Sequence, residues 1–198
     1  STLVGADVQP VYHLENARRI LALDCDFLGV EGESYRLIRG FAKGRKPAKD
    51  TMSRLYAVES LLTVTGGSAD HRLRVRPTDV VRVAAQVGAA VLELLQQSGE
   101  LATALKALAK DSVANPQWVD ACAKDLVGHK GASVVLAGYG QPLVVHLIAQ
   151  VLNSALQAVG PVVSIIKSNE ARNDGSIAEC VAQLQSGADT LVILGGNP

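Results

Sequence analysis

The residues of this chain that could do chemistry stand at the ends of short apolar runs. Ile20-Leu21-Ala22-Leu23 leads into Asp24-Cys25-Asp26, and Leu55-Tyr56-Ala57-Val58 leads into Glu59-Ser60. Ser133 to Ala137 leads into Gly138-Tyr139-Gly140-Gln141-Pro142, and Thr190 to Leu194 into Gly195-Gly196-Asn197-Pro198. In a parallel sheet, turns of this kind face the crevice at the carboxyl ends of the strands, where ligands of α/β folds bind. Glycines let the backbone approach a phosphate there, and a helix N-terminus behind them favours an anion. Gly138-Tyr139-Gly140 before a helix has this form, but without the third glycine of a dinucleotide fingerprint. Asp24 and Asp26 could bind ribose hydroxyls or form a carboxylate pair for acid–base work, because residues i and i+2 of a strand point the same way. They could equally cap the turn that follows. The turns thus mark Asp24, Asp26, Glu59, Gly138, Gln141, Gly195 and Asn197 as candidate contacts to a nucleotide-type cofactor.

The remaining polar clusters read as structural. Asp70-His71-Arg72 is expected to be a solvated or salt-bridged loop rather than the seat of a catalytic histidine. His146 lies along a helix with no His, Cys or acidic residue at metal-ligand spacing, so it reads as a packed or phosphate-facing side chain. Cys25, Cys122 and Cys180 form no C-x-x-C pair, which leaves no zinc or iron–sulfur signature and suggests buried, inert thiols. There is no G-x-S-x-G elbow, H-E-x-x-H or P-loop lysine, so hydrolase and kinase chemistry have no support. No catalytic residue and no metal site is expected.

The elements that must position these turns follow from hydrophobic periodicity. Strands are expected at Ile20 to Leu23, Leu55 to Val58, Ser133 to Ala137, Val162 to Ile166 and Thr190 to Leu194. Helices are expected at Glu33 to Lys43, from Pro77-Thr78-Asp79 to about Gln97, at Leu101 to Ala109, and from Asn115-Pro116 to about Val127. Two more run from Leu143 to Ala158 and from Gly175-Ser176 to about Gln185. Thr78 or Asp79 is positioned to cap the long helix. Alternating strands and helices predict an α/β fold with a largely parallel, Rossmann-like sheet, helices on both faces and a helical insert. The division expected is a first α/β lobe at 1–77, a helical segment at 78–130 and a second α/β lobe at 131–198. Ending on Gly-Gly-Asn-Pro, directly after a strand, the chain reads as a fragment of a larger multidomain protein.

Composition narrows the partners. Of 198 residues, 48% are hydrophobic but only 4% aromatic, so the core is built from Ala, Val, Leu and Ile, as when helices cover a parallel sheet. Nineteen basic residues balance nineteen acidic ones, which leaves no global field to recruit nucleic acid or anionic lipid. Apolar runs such as Ala84 to Leu95 are too short to span a bilayer, and no export signal begins at Ser1.

Taken together, the motifs resemble the molybdopterin oxidoreductase superfamily, which includes dimethyl sulfoxide reductase and formate dehydrogenase. Val58-Glu59-Ser60, Thr63-Val64-Thr65, Ala69-Asp70 and Val75-Arg76-Pro77-Thr78-Asp79 look like the family's acid, threonines, Ala-Asp and Arg-Pro-Gly-Thr-Asp. Leu194-Gly195-Gly196-Asn197-Pro198 looks like its second Gly-x-Asn-Pro turn. The strings Asp24-Cys25-Asp26-Phe27-Leu28-Gly29, Ser53-Arg54-Leu55-Tyr56-Ala57-Val58-Glu59 and Ala69-Asp70-His71-Arg72 resemble one branch more closely. That branch is the molybdopterin-like domain of the large iron–sulfur subunit of alternative complex III, a quinol-oxidising respiratory assembly. The resemblance adds Asp79 to the candidate cofactor positions, as the residue that would read a guanine edge.

The departures set the expectation. Arg76-Pro77-Thr78-Asp79 lacks the glycine before Thr-Asp, and the first turn carries two carboxylates and Phe27 where relatives have small residues. The two carboxylates and the ring would crowd and repel a pyrophosphate, and the missing glycine would shift Asp79 away from the place where a guanine edge would be read. The resemblance therefore implies a scaffold domain with no bound cofactor. Its partners would be the iron–sulfur module of its parent chain and other subunits of a membrane-associated complex, with no nucleic acid and no direct membrane insertion. The parent would be exported and peripheral on the periplasmic side of the inner membrane. One alternative is a genuine molybdopterin guanine dinucleotide-binding reductase fragment. Another is a nucleotide-binding module of the thiamine-diphosphate-enzyme type.

Overall fold

The computed structural model describes residues 8–31, 34–47, 52–111, 114–167 and 176–193. Strand β1 covers Val8–Tyr12, β2 Arg19–Leu23, helix α1 Ser34–Gly44, β3 Arg54–Glu59, the short α2 Val64–Gly67 and β4 His71–Arg74. There follow α3 (Val80–Leu94), α4 (Glu100–Leu108), α5 (Pro116–Gly128), β5 (Ser133–Ala137), α6 (Leu143–Ala155), β6 (Val163–Lys167) and α7 (Ile177–Gln185). Strands β2 to β5 form one parallel sheet in the order β4-β3-β2-β5, and β1 pairs with β6 in a separate two-stranded sheet. Counted along the chain, the parallel strands lie third-second-first-fourth. That is the opening order of a doubly wound, Rossmann-like sheet, and its winding reverses between β2 and β5.

The strands are apolar runs because both of their faces are covered. Alternate residues divide between two cores. Leu21, Leu23, Tyr56, Val58 and Val135 meet α3, α5 and α6 on one face. Ile20, Ala22, Leu55, Val134 and Leu136 meet Leu37 and Phe41 of α1, with Leu14 and Phe27, on the other. Helix α3 sends Val80, Val83, Val87 and Val91 fully inside. Each such side chain contributes at most about 1.5–3 kcal/mol relative to exposure. Helix α5 begins as its sequence predicts, with Pro116 in the first turn and the Asn115 carboxamide accepting the Gln117 N–H at 2.9 Å.

The free edge of the sheet at β5 is closed by a side chain. Asn153, buried on α6, accepts the Val135 N–H and donates to the Val135 carbonyl, both at 2.8 Å. One carboxamide thus supplies both bonds of a neighbouring strand.

Several expectations are corrected. The two expected sheet portions are one sheet, since β5 pairs with β2 from Arg19–Ser133 to Leu23–Ala137. The helical stretch is the crossover from β4 to β5, and its helices pack on the shared core. Residues Gln9–Ile166 form one compact unit, inside which the boundaries expected at 77/78 and 130/131 fall, and the described residues from Lys167 onward belong to a second. His71 and Arg72 lie in a strand rather than a loop, because Tyr56↔His71 to Glu59↔Arg74 pair with β3. Asp79 stands at the N-cap position of α3, as one of the two expected residues, but its side chain makes no capping hydrogen bond. Pro77–Asp79 forms a 3-10 turn, and the Asp79 carboxylate binds Arg82 at 2.8 Å instead. The strand at Val162 to Ile166 forms, but in the small sheet. Residues 190–193 carry no strand, for without a hydrogen-bonded neighbour an extended segment forms no ladder. In the second unit, Ser176 and Glu179 make a reciprocal capping box at the start of α7. Among the described residues no helix is long and apolar enough to cross a membrane.

Candidate functional site at the carboxyl edge of the sheet

The sheet brings the first three turns to one edge, at the place where the winding reverses. Strand β2 ends at Leu23, and Asp24 takes a left-handed backbone (φ 49°) that turns the chain out of the sheet. The Asp24 carboxylate bridges the two neighbouring strand ends. It accepts the Ser60 N–H at 3.2 Å after β3 and the Gln141 Nε2 at 2.7 Å after β5. Asp26 is buried and turns to other partners. Its Oδ1 accepts the Thr65 N–H (3.0 Å) and hydroxyl (2.8 Å), and its Oδ2 accepts the Val30 N–H at 3.3 Å. The expectation that Asp24 and Asp26 share one side of an extended strand is therefore corrected. The strand stops one residue too early, and the carboxylates organise separate turns. Their turn-capping reading holds.

Glu59, at the end of β3, is buried among Thr63, whose hydroxyl donates at 2.6 Å, and Arg72, whose Nε donates from β4. Asp79 is held by Arg82, on the far side of the β4 end. Gly138 is required by contact: a Cβ there would sit 1.9 Å from the Asp24 carbonyl oxygen, a backbone atom that cannot yield. Gly138→Ala should therefore cost about 1–3 kcal/mol, the usual range for overpacking. A urea midpoint unchanged from wild type would contradict that contact. Gly195 and Asn197 lie outside the described residues.

Two contributors have no local sequence signal. Glu31 accepts the Tyr139 N–H at 3.0 Å from 108 positions away, and Thr65 completes the Asp26 turn through both Asp26 and the Leu28 N–H. Four of the amide groups at these turns are met by the chain's own carboxylates, while the N-terminus of α6 carries no side-chain cap. Ser60 is taken by Asp24, Thr65 and Val30 by Asp26, and Tyr139 by Glu31. Around them stand exposed apolar side chains at Val30, Leu61, Leu62, Val64, Tyr139 and Leu143.

Beside the switch point, a cavity of about 240 Å³ opens between Tyr12, Cys25, Phe27, Glu31, Tyr139 and His146. Burial pushes the Cys25 thiol up, and the Glu31 carboxylate beside it adds to the shift, so the sulfur is held as a thiol and is a poor nucleophile. Burial likewise raises the Tyr12 hydroxyl to about 12. Cys122 is buried in the first core with its thiol pushed up by burial, but Cys180 is exposed, against the expectation for all three cysteines. Among the described residues no group of three or more His, Cys, Asp and Glu could hold a metal ion. The Asp70-His71-Arg72 cluster is salt-bridged as expected: Asp70 binds Arg45 at 2.6 Å and the Leu55 N–H at 2.8 Å, and His71 stacks on Tyr56. No family model matches the chain, and comparison with curated proteins gives no match.

Proposed function

We propose that this chain is the molybdopterin-oxidoreductase-like domain of a respiratory electron-transfer complex, in which it serves as a scaffold and binds no cofactor. The observation that carries this reading is the occupation of the carboxyl edge by the chain's own acids. A pyrophosphate needs free backbone N–H groups at a helix or turn N-terminus. Here Asp24, Asp26 and Glu31 already accept from the Ser60, Val30, Thr65 and Tyr139 amides, so a phosphate reaching those groups would have to displace a carboxylate and then face it. Two like charges about 4 Å apart repel by roughly 4 kcal/mol at an effective dielectric near 20, against about 1 kcal/mol offered by a helix N-terminus. The residues present therefore do not fit molybdopterin guanine dinucleotide, and no reaction step is assigned to it.

The exposed apolar rim around the edge suits a docked protein module better than a charged ligand. In the parent protein that module would be the iron–sulfur portion of the same chain or another subunit, on the periplasmic face of the membrane.

Thermal unfolding with guanosine diphosphate is the test. The expected result is no rise in Tm until the nucleotide approaches about 1 mM, a binding free energy near −4 kcal/mol. A rise of several degrees at about 100 µM, lost in Asp79→Ala, would replace the scaffold with the reductase reading.

A further inference from the structure

The two edges of the parallel sheet are treated differently. At β5 the outward N–H and C=O of Val135 are both taken by Asn153. At β4, among the described residues, no strand pairs with the outer side. Asp70 donates its N–H inward to the Leu55 carbonyl at 3.0 Å. By the alternation of a parallel ladder, His71 and Leu73 then turn their N–H and C=O groups outward. Such an edge is a template for another extended chain.

The side chains of this edge carry a charge with no counterpart. Arg72 and Arg74 alternate in β4, so their side chains leave the same face, and Arg74 and Arg76 line one groove past its end. Arg72 is consumed by Glu59. Arg74 and Arg76 are exposed and, among the described residues, have no carboxylate partner. Asp79, which lines the same groove, is committed to Arg82. An open groove of about 660 Å³ lies between Ser60, Leu61, Arg74, Arg76, Pro77 and Asp79. Leu61, Leu62 and Val64 beside it are 75%, 71% and 59% exposed.

We propose that β4 is a docking edge for an extended, acidic segment of a partner protein, which adds as a fifth strand. It would set carboxylates at alternate positions against Arg74 and Arg76 and aliphatic side chains against Leu61 and Leu62. The backbone edge supplies affinity and the arginine pair selects charge. A second copy of this chain pairing β4 to β4 would set arginine against arginine, which excludes it as the occupant. The groove holds no aromatic side chain on which a nucleic-acid base would stack.

The test uses the whole chain and a fluorescein-labelled octapeptide of alternating Glu and Val, with a Lys-and-Val peptide as control. Fluorescence polarisation should give a Kd on the order of 100 µM for the acidic peptide, about −5.5 kcal/mol. The lysine peptide and the Arg74→Glu/Arg76→Glu variant should bind at least tenfold more weakly, and raising salt should weaken binding further. The His71 and Leu73 amides should gain protection from hydrogen exchange in the complex. Should the charge-reversed variant fold poorly, Arg74→Gln/Arg76→Gln should still lose several-fold. Equal binding of both peptides, binding without protection of β4, no binding at 1 mM peptide, or full competition by inorganic phosphate alone would each overturn the proposal. A failure here leaves the nucleotide test untouched, since that reads Tm with guanosine diphosphate and the Asp79→Ala variant, whereas this one reads peptide binding and the Arg74 and Arg76 variants, and the reverse also holds.

Discussion

Replacing Asn153 with leucine should destabilise the chain by about 2 kcal/mol, although leucine has the same branched skeleton and a greater affinity for the core. The carboxamide satisfies two backbone groups of Val135 on a strand that is buried along most of its length. A buried N–H or C=O left without a partner costs about 1–3 kcal/mol, so the pair together would lose about 2–6 kcal/mol. The hydrophobic gain of a leucine is of order 1.5–3 kcal/mol and offsets only part of that. Asn153→Ala should lose more, because it adds a cavity at a buried position to the same orphaned pair. Urea unfolding would register the loss as a lower midpoint at unchanged slope. Hydrogen exchange would locate it, since the Val135 amide should become the first in β5 to exchange. A leucine variant as stable as the wild type would mean that water or a rearranged strand satisfies that edge.

The closure by Asn153 also explains why the small sheet forms. In a doubly wound fold the strand after α6 would extend the sheet beyond β5. Here that position is taken by a side chain, and β6 pairs with β1 instead. Nothing in the sequence around Asn153 signals this, because an asparagine inside an apolar helix is as compatible with an exposed position as with a buried one. Such a residue is informative only once its partners, 18 positions away, are known.

Local pattern made most of the elements legible. The apolar runs at Ile20 to Leu23 and Ser133 to Ala137, the Asn115-Pro116 start and the Ser176 cap each carry a short-range signal with a physical cause. The runs could not reveal that they share one sheet. Pairing of β2 with β5 spans more than a hundred residues, and no local periodicity encodes it. Strand β4 was hidden for another reason. His-Arg-Leu-Arg has polar residues at three of four positions, which the exposed edge and the Glu59 ion pair allow but propensity does not suggest. In the candidate site, the turn rule located Asp24, Gly138 and Gln141 together, and the structure joins them. What the rule missed is that the Asp24 carboxylate is spent on Ser60 and the Gln141 Nε2, while the Gln141 Oε1 stays buried with no partner among the described residues. Burial of Asp26 and Glu59 depends on Thr65, Thr63 and Arg72, and those contacts form only when the turns meet.

At the opposite end of the sheet, Asp125→Ala should cost about 3 kcal/mol, the low end for breaking a buried ion pair. Asp125 on α5 gathers Arg19 from β2, Arg54 and the Tyr56 hydroxyl from β3, and stands 3.6 Å from His129. The Arg19 contact is an ion pair at 2.5 Å rather than an aligned hydrogen bond, and Arg54 is the more exposed partner, so its share is smaller. Burial alone would raise the Asp125 carboxyl, but Arg19, Tyr56 and Arg54 together hold it below its ordinary value. A carboxyl depressed in the folded state adds stability that is present above its unfolded pKa, about 3.9, and is lost as pH falls through the lower folded value. Tyr56 works in the other direction. Burial first, then its hydrogen bond to Asp125, raises its hydroxyl to about 12. Its contribution is complete below the unfolded pKa of about 10 and is lost as pH climbs toward 12. Urea midpoints measured from pH 2 to 12 should therefore fall at both ends in the wild type. Tyr56→Phe should flatten the alkaline limb, and Asp125→Asn, which keeps the shape but not the charge, should flatten the acid limb. Should both variants keep the full wild-type profile, the pH dependence would have to originate elsewhere, and the assignment to this cluster would fail.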